Sequence, residues 1–159
     1  MLRTGEPVPE WRVRAWLNGP PRTLESLRGK VVVVHAFQML CPGCIYRGLP
    51  QAIRLAKELP PDDAVVIGLH TVFEHHEAMR DASLEAFLHE LRVPFAVGVD
   101  ENEEERGRPW TMKHWDLPGT PTTVIVDRRG RLAHLAFGVE DDLGLGLRIG
   151  RLLAEPAPA

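Results

Sequence analysis

Residues 31–44 of the chain read Val31-Val32-Val33-Val34-His35-Ala36-Phe37-Gln38-Met39-Leu40-Cys41-Pro42-Gly43-Cys44. The β-branched run over 31–37 has no polar alternation, which predicts a central strand covered on both faces, as in a parallel sheet. A helix is predicted directly after the cysteine pair and is closed by Pro60-Pro61. Its apolar stripe consists of Ile53, Leu55, Ala56 and Leu59. This stretch therefore predicts a strand, a short turn with two cysteines, and a helix.

The sequence on either side of this unit predicts a βαβ half followed by a ββα half. The other predicted strands span residues 11–17, 64–69, 95–99, 122–126 and 132–137, and the other predicted helices span 23–29, 83–91, 108–115 and 141–153. The right-handed crossover rule makes strand 64–69 parallel to strand 31–37. The last two strands form a hairpin about a turn at 127–130. We predict one domain over residues 1–153 and a flexible tail over 154–159.

Composition and charge narrow the class of protein. The 159 residues, 44% hydrophobic and 26% charged, fit one globular domain. A net charge of -3 with mixed signs along the chain argues against a nucleic-acid partner. The chain has no long apolar run, so we expect no membrane partner and a cytoplasmic protein. The acidic run over 100–105 is interpreted as a solvated loop or a helix start.

Three motifs carry a resemblance to a known family. They are Cys41-Pro42-Gly43-Cys44 after the valine run, Gly119-Thr120-Pro121-Thr122 before a strand, and Asp127-Arg128-Arg129-Gly130-Arg131 after it. With the opening Gly5-Glu6-Pro7-Val8-Pro9, the chain resembles the thioredoxin superfamily, and within it the TlpA-like and redoxin (AhpC-TSA-like) thiol-disulfide oxidoreductases. The resemblance covers residues 5–153. It implies an α/β thioredoxin-like fold, with a central mixed sheet flanked by helices and an N-terminal extension.

The cysteine pair has a physical interpretation of its own. Thiol exchange needs a thiolate, and a cysteine at a helix N-terminus is stabilised as the anion by unpaired N–H groups and the helix dipole. We therefore predict Cys41 as the nucleophile and Cys44, three positions on, as the resolving thiol. Pro42 fits the first helical turn, where its missing N–H has no intrahelical partner. Gly43 is expected to leave room for a partner chain.

The resemblance implies further features of the site. It implies that the Thr120-Pro121 bond is cis, and that Pro121 lies against the cysteines while the backbone of Thr120 faces a substrate chain. The sequence departs from the family at Leu40, where an aromatic residue is usual, and at Gln38 and Met39. In the family, a proline in this helix usually follows the second cysteine by five positions, whereas here Pro50 follows Cys44 by six. We expect one extra residue to be absorbed near Gly48 as a bulge or kink.

His35 stands six residues before Cys41, where relatives carry a buried acid or an asparagine. Strand alternation places it on the same face as Val31 and Val33, beneath the cysteine pair. One hypothesis is that its neutral imidazole accepts a proton as Cys44 becomes a thiolate. The alternative is a core histidine tied to a backbone group.

Other ligand-type and aromatic residues are less specific. His70, Glu74, His75 and His76 follow a strand in a predicted loop, without the i and i+4 spacing of a helical metal site, and we predict no metal site there. Since the loop follows the carboxyl end of a strand, His70 is predicted to line a substrate groove. Two tryptophans, Trp110 and Trp115, are predicted to be core or groove side chains.

The sequence thus predicts a thiol-disulfide oxidoreductase with antioxidant activity and no cofactor. Its partners would be a disulfide-containing protein or small molecule and an upstream thiol reductant. Two alternatives stay open. One is a thiol-dependent peroxidase of the redoxin group, although neither cysteine has the threonine three positions before it that peroxiredoxins carry. The other is a non-catalytic module whose cysteines hold metal or a redox state for a partner.

Overall fold

The computed structural model of the protein describes residues 2–158. Met1 and Ala159, the first residue of the predicted domain and the last of the predicted tail, lie outside the described residues. The strands are β1 (Val13–Leu17), β2 (Val31–Phe37), β3 (Ala64–His70), β4 (Val97–Asp100), β5 (Thr122–Val126) and β6 (Leu132–Phe137). The α-helices are α1 (Leu49–Glu58), α2 (Asp81–Glu90), α3 (Trp110–His114) and α4 (Asp142–Ala154). A 3-10 turn spans Glu25–Leu27 and a π-helical turn spans Cys44–Gly48.

The strands form one mixed sheet in the order β1-β4-β3-β2-β5-β6. Strand β2 pairs in parallel with β3 and antiparallel with β5, and all seven of its residues are buried. This confirms the expectation of a central strand covered on both faces, since a β-branched run without polar alternation suits that position. The parallel crossover from β2 to β3 and the hairpin of β5 and β6 are also as predicted.

Two apolar layers cover the sheet. The odd-numbered valines of β2 face one cluster, to which helices α1, α2 and α4 contribute Leu49, Ala52, Leu84, Leu88, Leu145 and Ile149. The even-numbered valines face a second cluster, which includes Trp11, Leu24, Met112, Trp115 and Leu117. The sheet is thus the middle of three layers, and the α/β thioredoxin-like architecture expected from the sequence is confirmed.

The boundaries of several elements differ from the prediction. Strand β1 begins at Val13 and not at Trp11, because the backbone N–H of Arg12 donates to the Thr111 hydroxyl at 2.9 Å and not to a neighbouring strand. Strand β4 ends at Asp100, which is 1% exposed. The interpretation of the whole acidic run as solvated is therefore wrong for Asp100, although Glu103, Glu104 and Glu105 are exposed.

The carboxyl end of the chain closes against the start of the central strand. Arg128, 7% exposed, donates to the carbonyl oxygens of Gly29 and Leu153 and to the carboxylate of Asp63. Helix α4 ends at Ala154, one residue past the predicted domain boundary. Within residues 2–158 no helix is both long and apolar enough to cross a membrane.

Candidate active site

The candidate site begins where the central strand ends. Strand β2 stops at Phe37, and helical backbone begins at Pro42, so Cys41 stands immediately before the first helical residue. The Cys41 carbonyl accepts the N–H of Ile45 at 3.0 Å, and its own N–H donates to the Gln38 carbonyl at 3.1 Å. The helix therefore starts at the position that the cysteine spacing predicts.

The extra residue before the helix proline is absorbed in the π-helical turn Cys44–Gly48. A π-turn holds one residue more than an α-turn. It lies just before Pro50, which has no N–H to continue the α-helical ladder. The expected bulge near Gly48 is thus confirmed as a widened turn at the end of which helix α1 begins.

The two cysteines are both free and differ in exposure. Cys41 is half-buried, whereas Cys44 is 1% exposed. The Cys44 backbone N–H donates to the Cys41 Sγ at 3.3 Å, and the Cys41 Sγ lies 3.5 Å from the carbonyl oxygen of Thr120. The first sulfur is thus reachable from outside and is contacted by an N–H of the helix start, while the second is behind it.

Pro121 packs against the helix that carries the cysteines. The Thr120-Pro121 bond is cis, as the resemblance implies. A Cβ on Gly43 would lie 3.3 Å from the Pro121 ring, and a Cβ on Gly48 would lie 3.0 Å from it. That Gly43 leaves room for a partner chain stays a prediction; within the chain, the group nearest its missing Cβ is the Pro121 ring. Both glycines allow the proline to approach the helix backbone closely.

Burial makes the second thiol a poor acid in the reduced protein. The pKa of Cys44 is raised to about 12. Burial is the largest cause, the hydrogen bond and charge of Cys41 also raise the pKa, and the Gln38 backbone and the Thr120 side chain lower it. Cys44 is therefore protonated at neutral pH as long as Cys41 is not in a disulfide. Two of the causes that raise its pKa come from Cys41 itself.

His35 lies directly under the site, on the face predicted for it. It is 3% exposed and stacks on Phe37, with 5.7 Å between ring centroids. A Cβ on Gly48 would lie 2.7 Å from its Cε1 atom. Burial lowers the pKa of His35 to about 4, so its imidazole is neutral at pH 7. Its Nε2 has no hydrogen-bond partner within residues 2–158, so this nitrogen is not tied to a backbone group.

A groove of about 500 Å³ opens beside Cys41. It is lined by three separate parts of the chain, at Gln38, Leu40, Cys41 and Pro42, at Phe73, Glu74, His75 and Met79, and at Gly119, Thr120 and Phe137. Periodicity did not assign the aromatic members to the groove, because Phe137 is the last residue of its strand and Phe73 lies in a loop. The prediction that Trp115 is a core side chain is confirmed, since it is fully buried.

The prediction that His70 lines the groove is wrong. Strand β3 continues to His70, where it pairs with Phe37, and the imidazole is 1% exposed. Its Nε2 accepts the N–H of Met39 at 3.3 Å, so it supports the loop before the cysteines from inside. His75, five residues on, lines the groove instead. No group of three or more potential metal ligands lies together within the described part of the chain.

Comparisons with known proteins agree with this arrangement. A family model described as the AhpC/TSA family matches residues 4–135. A crystal structure of the thioredoxin-like superfamily protein SPOA0173 is 46% identical, covers 97% of this chain and 100% of its own, and superposes with a TM-score of 0.93. The structure of a thiol-disulfide isomerase from Corynebacterium glutamicum is 45% identical, covers 95% of this chain and 98% of its own, and has a TM-score of 0.91.

A curated relative is much longer than this chain. Protein DipZ of Mycobacterium bovis is 27% identical over 135 residues, which are 81% of this chain but 18% of DipZ. The chain thus spans about a fifth of the length of that relative. The family match extends over most of the chain and includes both cysteines, and the two solved structures agree with it in fold. The chain therefore belongs to the AhpC/TSA family, within the thioredoxin-like superfamily.

Proposed function

We propose that the protein is a thiol-disulfide oxidoreductase of the thioredoxin-like redoxin type, in which Cys41 attacks and Cys44 resolves. The observation that carries the proposal is the unequal exposure of the two sulfurs. Cys41 opens to the groove, whereas Cys44 is buried behind it and donates its backbone N–H to the Cys41 sulfur. The similarity to a thiol-disulfide isomerase from Corynebacterium glutamicum supports the same chemistry.

In the first step, the Cys41 thiolate attacks one sulfur of a substrate disulfide. A bond forms between Cys41 Sγ and that sulfur, the substrate S–S bond breaks, and the other substrate sulfur leaves as a thiolate that takes a proton from water. The N–H of Cys44 faces the attacking sulfur and helps to hold it as the anion. Cys44 stays protonated during this step because of its high pKa.

In the second step, Cys44 loses its proton and attacks Cys41 Sγ. The mixed disulfide breaks, a Cys41–Cys44 disulfide forms, and the second substrate sulfur leaves and is protonated. Two electrons have then passed from the cysteine pair to the substrate. Since Cys41 no longer carries charge in the mixed disulfide, one cause of the raised pKa of Cys44 is removed when its thiolate is needed. A dithiol reductant from outside the chain restores the pair.

His35 is the candidate acceptor of the Cys44 proton. Burial keeps its imidazole unprotonated at neutral pH, and a pKa of about 4 also makes it a weak base, so it would hold the proton only transiently. Exchange of His35 for Asn tests this role. The role predicts a changed pH profile of disulfide reduction, and an unchanged profile contradicts it.

The nucleophile assignment is tested with a matched pair of variants. We expect Cys41→Ser to abolish reduction of insulin disulfides by the protein with dithiothreitol as reductant. We expect Cys44→Ser to accumulate a mixed disulfide with the substrate, detected by mass, because the resolving thiol is missing. Cys41→Ser, which should form no mixed disulfide with the substrate, is the control for the trapping experiment. Retention of activity in Cys41→Ser, or trapping through Cys44, would overturn the assignment.

The direction of electron flow is tested by the equilibrium reduction potential of the cysteine pair. We propose a cytoplasmic reductase, for which a value near that of thioredoxin, about -270 mV, is expected. A value toward -120 mV, on the order of that of strong oxidants, would contradict the proposed direction of electron flow and reopen the question of compartment.

The family match makes peroxide the second candidate substrate. In that case the Cys41 thiolate attacks a peroxide oxygen, the O–O bond breaks, and a sulfenic acid forms with release of water or an alcohol. Dimedone labelling of Cys41 in Cys44→Ser, in which no resolving thiol can condense with the sulfenic acid, after one equivalent of hydrogen peroxide tests it. Labelling at a rate above that of free cysteine supports the peroxidase, and its absence supports the disulfide reductase.

A further inference from the structure

Gln38 is a buried polar side chain beside the nucleophile. It is 2% exposed, and its Oε1 accepts the backbone N–H groups of Phe73 at 3.1 Å and Glu74 at 3.2 Å. Its own carbonyl accepts the N–H of Cys41. One residue thus joins the turn that carries the nucleophile to a loop 35 residues further along the chain.

The loop that Gln38 holds is one wall of the groove. We call residues 73–75 the 73–75 wall. This segment comes after β3, and its three residues, Phe73, Glu74 and His75, all line the groove. Two N–H groups of the wall therefore obtain a buried acceptor from a side chain and not from a strand or a helix. A buried amide costs free energy unless it is hydrogen-bonded, so these two bonds stabilise a single position of the Gln38 side chain.

The groove chemistry favours a polypeptide segment with apolar side chains. Leu40 is 49% exposed and Phe137 is 61% exposed, and together with Phe73 and Met79 they give the groove an apolar character. The described lining includes Glu74 but neither lysine nor arginine. An anionic small disulfide such as oxidised glutathione would find no lysine or arginine there, whereas an apolar segment would bury surface against these side chains.

We propose that Gln38 is a positioning residue that fixes the 73–75 wall beside Cys41 and thereby sets the affinity for apolar polypeptide disulfides. The inference rests on the proposed thiol-disulfide exchange. It assigns Gln38 no contact with reacting atoms. Without the two acceptor bonds the wall moves away from Cys41, and the substrate loses one side of its binding surface.

The first test separates binding from chemistry. We expect Gln38→Met to raise the KM for insulin disulfides about ten-fold, with kcat within about two-fold, because two hydrogen bonds are lost from the wall. The rate with hydroxyethyl disulfide, which is too small to contact the wall, is expected to fall much less than kcat/KM for insulin. Gln38→Glu keeps an acceptor oxygen and is expected to restore part of the affinity.

The matched control is Gln51, a second buried glutamine. Its side-chain N–H donates to the Glu140 carbonyl and the Asp142 carboxylate, away from the groove. Gln51→Met is therefore expected to lower stability but not to change the KM. Phe73→Ala should raise the KM as Gln38→Met does, and the double variant should be no worse than either alone. An additive double variant, or an unchanged KM in Gln38→Met, would overturn the proposal.

The second test needs no substrate. Amide hydrogen exchange at Phe73 and Glu74 is expected to be slow in the native protein and at least about ten-fold faster in Gln38→Met. If Gln38→Met does not fold, fast exchange of these two amides in the unmodified protein would still contradict the proposal. If the unmodified protein reduces no disulfide at all, the proposed function fails. If it is active but Gln38→Met keeps its KM, only the role of Gln38 fails.

Discussion

Gly48 is the position at which the cysteine helix packs against both His35 and Pro121. A side chain there would have its Cβ 2.7 Å from the imidazole and 3.0 Å from the proline ring. Neither neighbour can move easily, because His35 is buried and stacked on Phe37 and the ring of Pro121 is rigid. The position therefore requires glycine for packing and not for its backbone angles, which are helical.

We expect Gly48→Ala to lower the free energy of unfolding by about 1–3 kcal/mol, because the added methyl group overpacks the space over His35. Disulfide reduction should also slow, since the helix that carries the cysteines must shift away from Pro121. Urea unfolding and the insulin assay measure the two effects.

Gly146 provides the control for this variant. It lies exposed in helix α4, and a Cβ at this position would have no other atom within 4 Å. Gly146→Ala should therefore be neutral or stabilise the protein by about 0.5–1 kcal/mol through helix propensity. Equal effects of the two variants would show that packing over His35 does not decide the outcome.

At the scale of elements, Asp100 links the end of β4 to the start of α3. Its carboxylate accepts the N–H groups of Thr111 and Met112 at 2.8 and 3.0 Å, and the Thr71 hydroxyl donates to it at 3.0 Å. These are the N–H groups that a helix start leaves without an intrahelical partner. Burial raises the pKa of Asp100 and these hydrogen bonds lower it, so burial is the larger influence.

We expect Asp100→Ala to lower the free energy of unfolding by about 3 kcal/mol or more, because three buried donors lose their acceptor. Asp141 is the comparison, since it accepts one N–H, that of Gly144, at the exposed start of α4. Asp141→Ala should cost about 1 kcal/mol. Urea unfolding of both variants measures the difference, and similar losses would contradict the capping role of Asp100.

The prediction of the elements succeeded where the signal is local. The valine run, the cysteine spacing and the turn at 127–130 each specify backbone conformation through neighbouring residues, and the structure has β2, the helix start and the β5–β6 hairpin at those positions. Asp100 shows where local reasoning fails. The acidic residues Glu103, Glu104 and Glu105 that follow it are exposed, yet its own carboxylate accepts an N–H of a helix that begins ten residues later.

At the scale of the whole molecule, two buried histidines connect folding to pH. Burial lowers the pKa of both His35 and His70 to about 4 from 6.5, while Asp81 raises and Arg14 lowers that of His70. The unfolded chain binds protons on both residues as the pH falls below 6.5, whereas the folded chain does so only near 4. The folded state is therefore fully favoured above 6.5 and loses stability as the pH falls toward 4.

We expect the free energy of unfolding to fall by about 1.4 kcal/mol per pH unit for each of these histidines between about pH 6 and 5. Urea unfolding at about pH 7.5, 6 and 5 measures it, and His35→Asn should reduce the slope by about one proton. The exposed His89 on α2 is the control, because His89→Gln should leave the slope unchanged. A slope that His35→Asn does not alter would contradict the burial of a neutral imidazole.

Local sequence patterns are enough to predict the order of the elements, the central strand and the position of the cysteine pair at a helix start. These follow from periodicity, turn residues and spacing, which act between residues close in the chain. The packing of distant segments brings Leu40, Phe73 and Phe137 into one groove, buries His70, and places the Gln38 side chain against the 73–75 wall. Such contacts depend on which strand ends become neighbours in the sheet, and no local pattern specifies which side chains will face each other there.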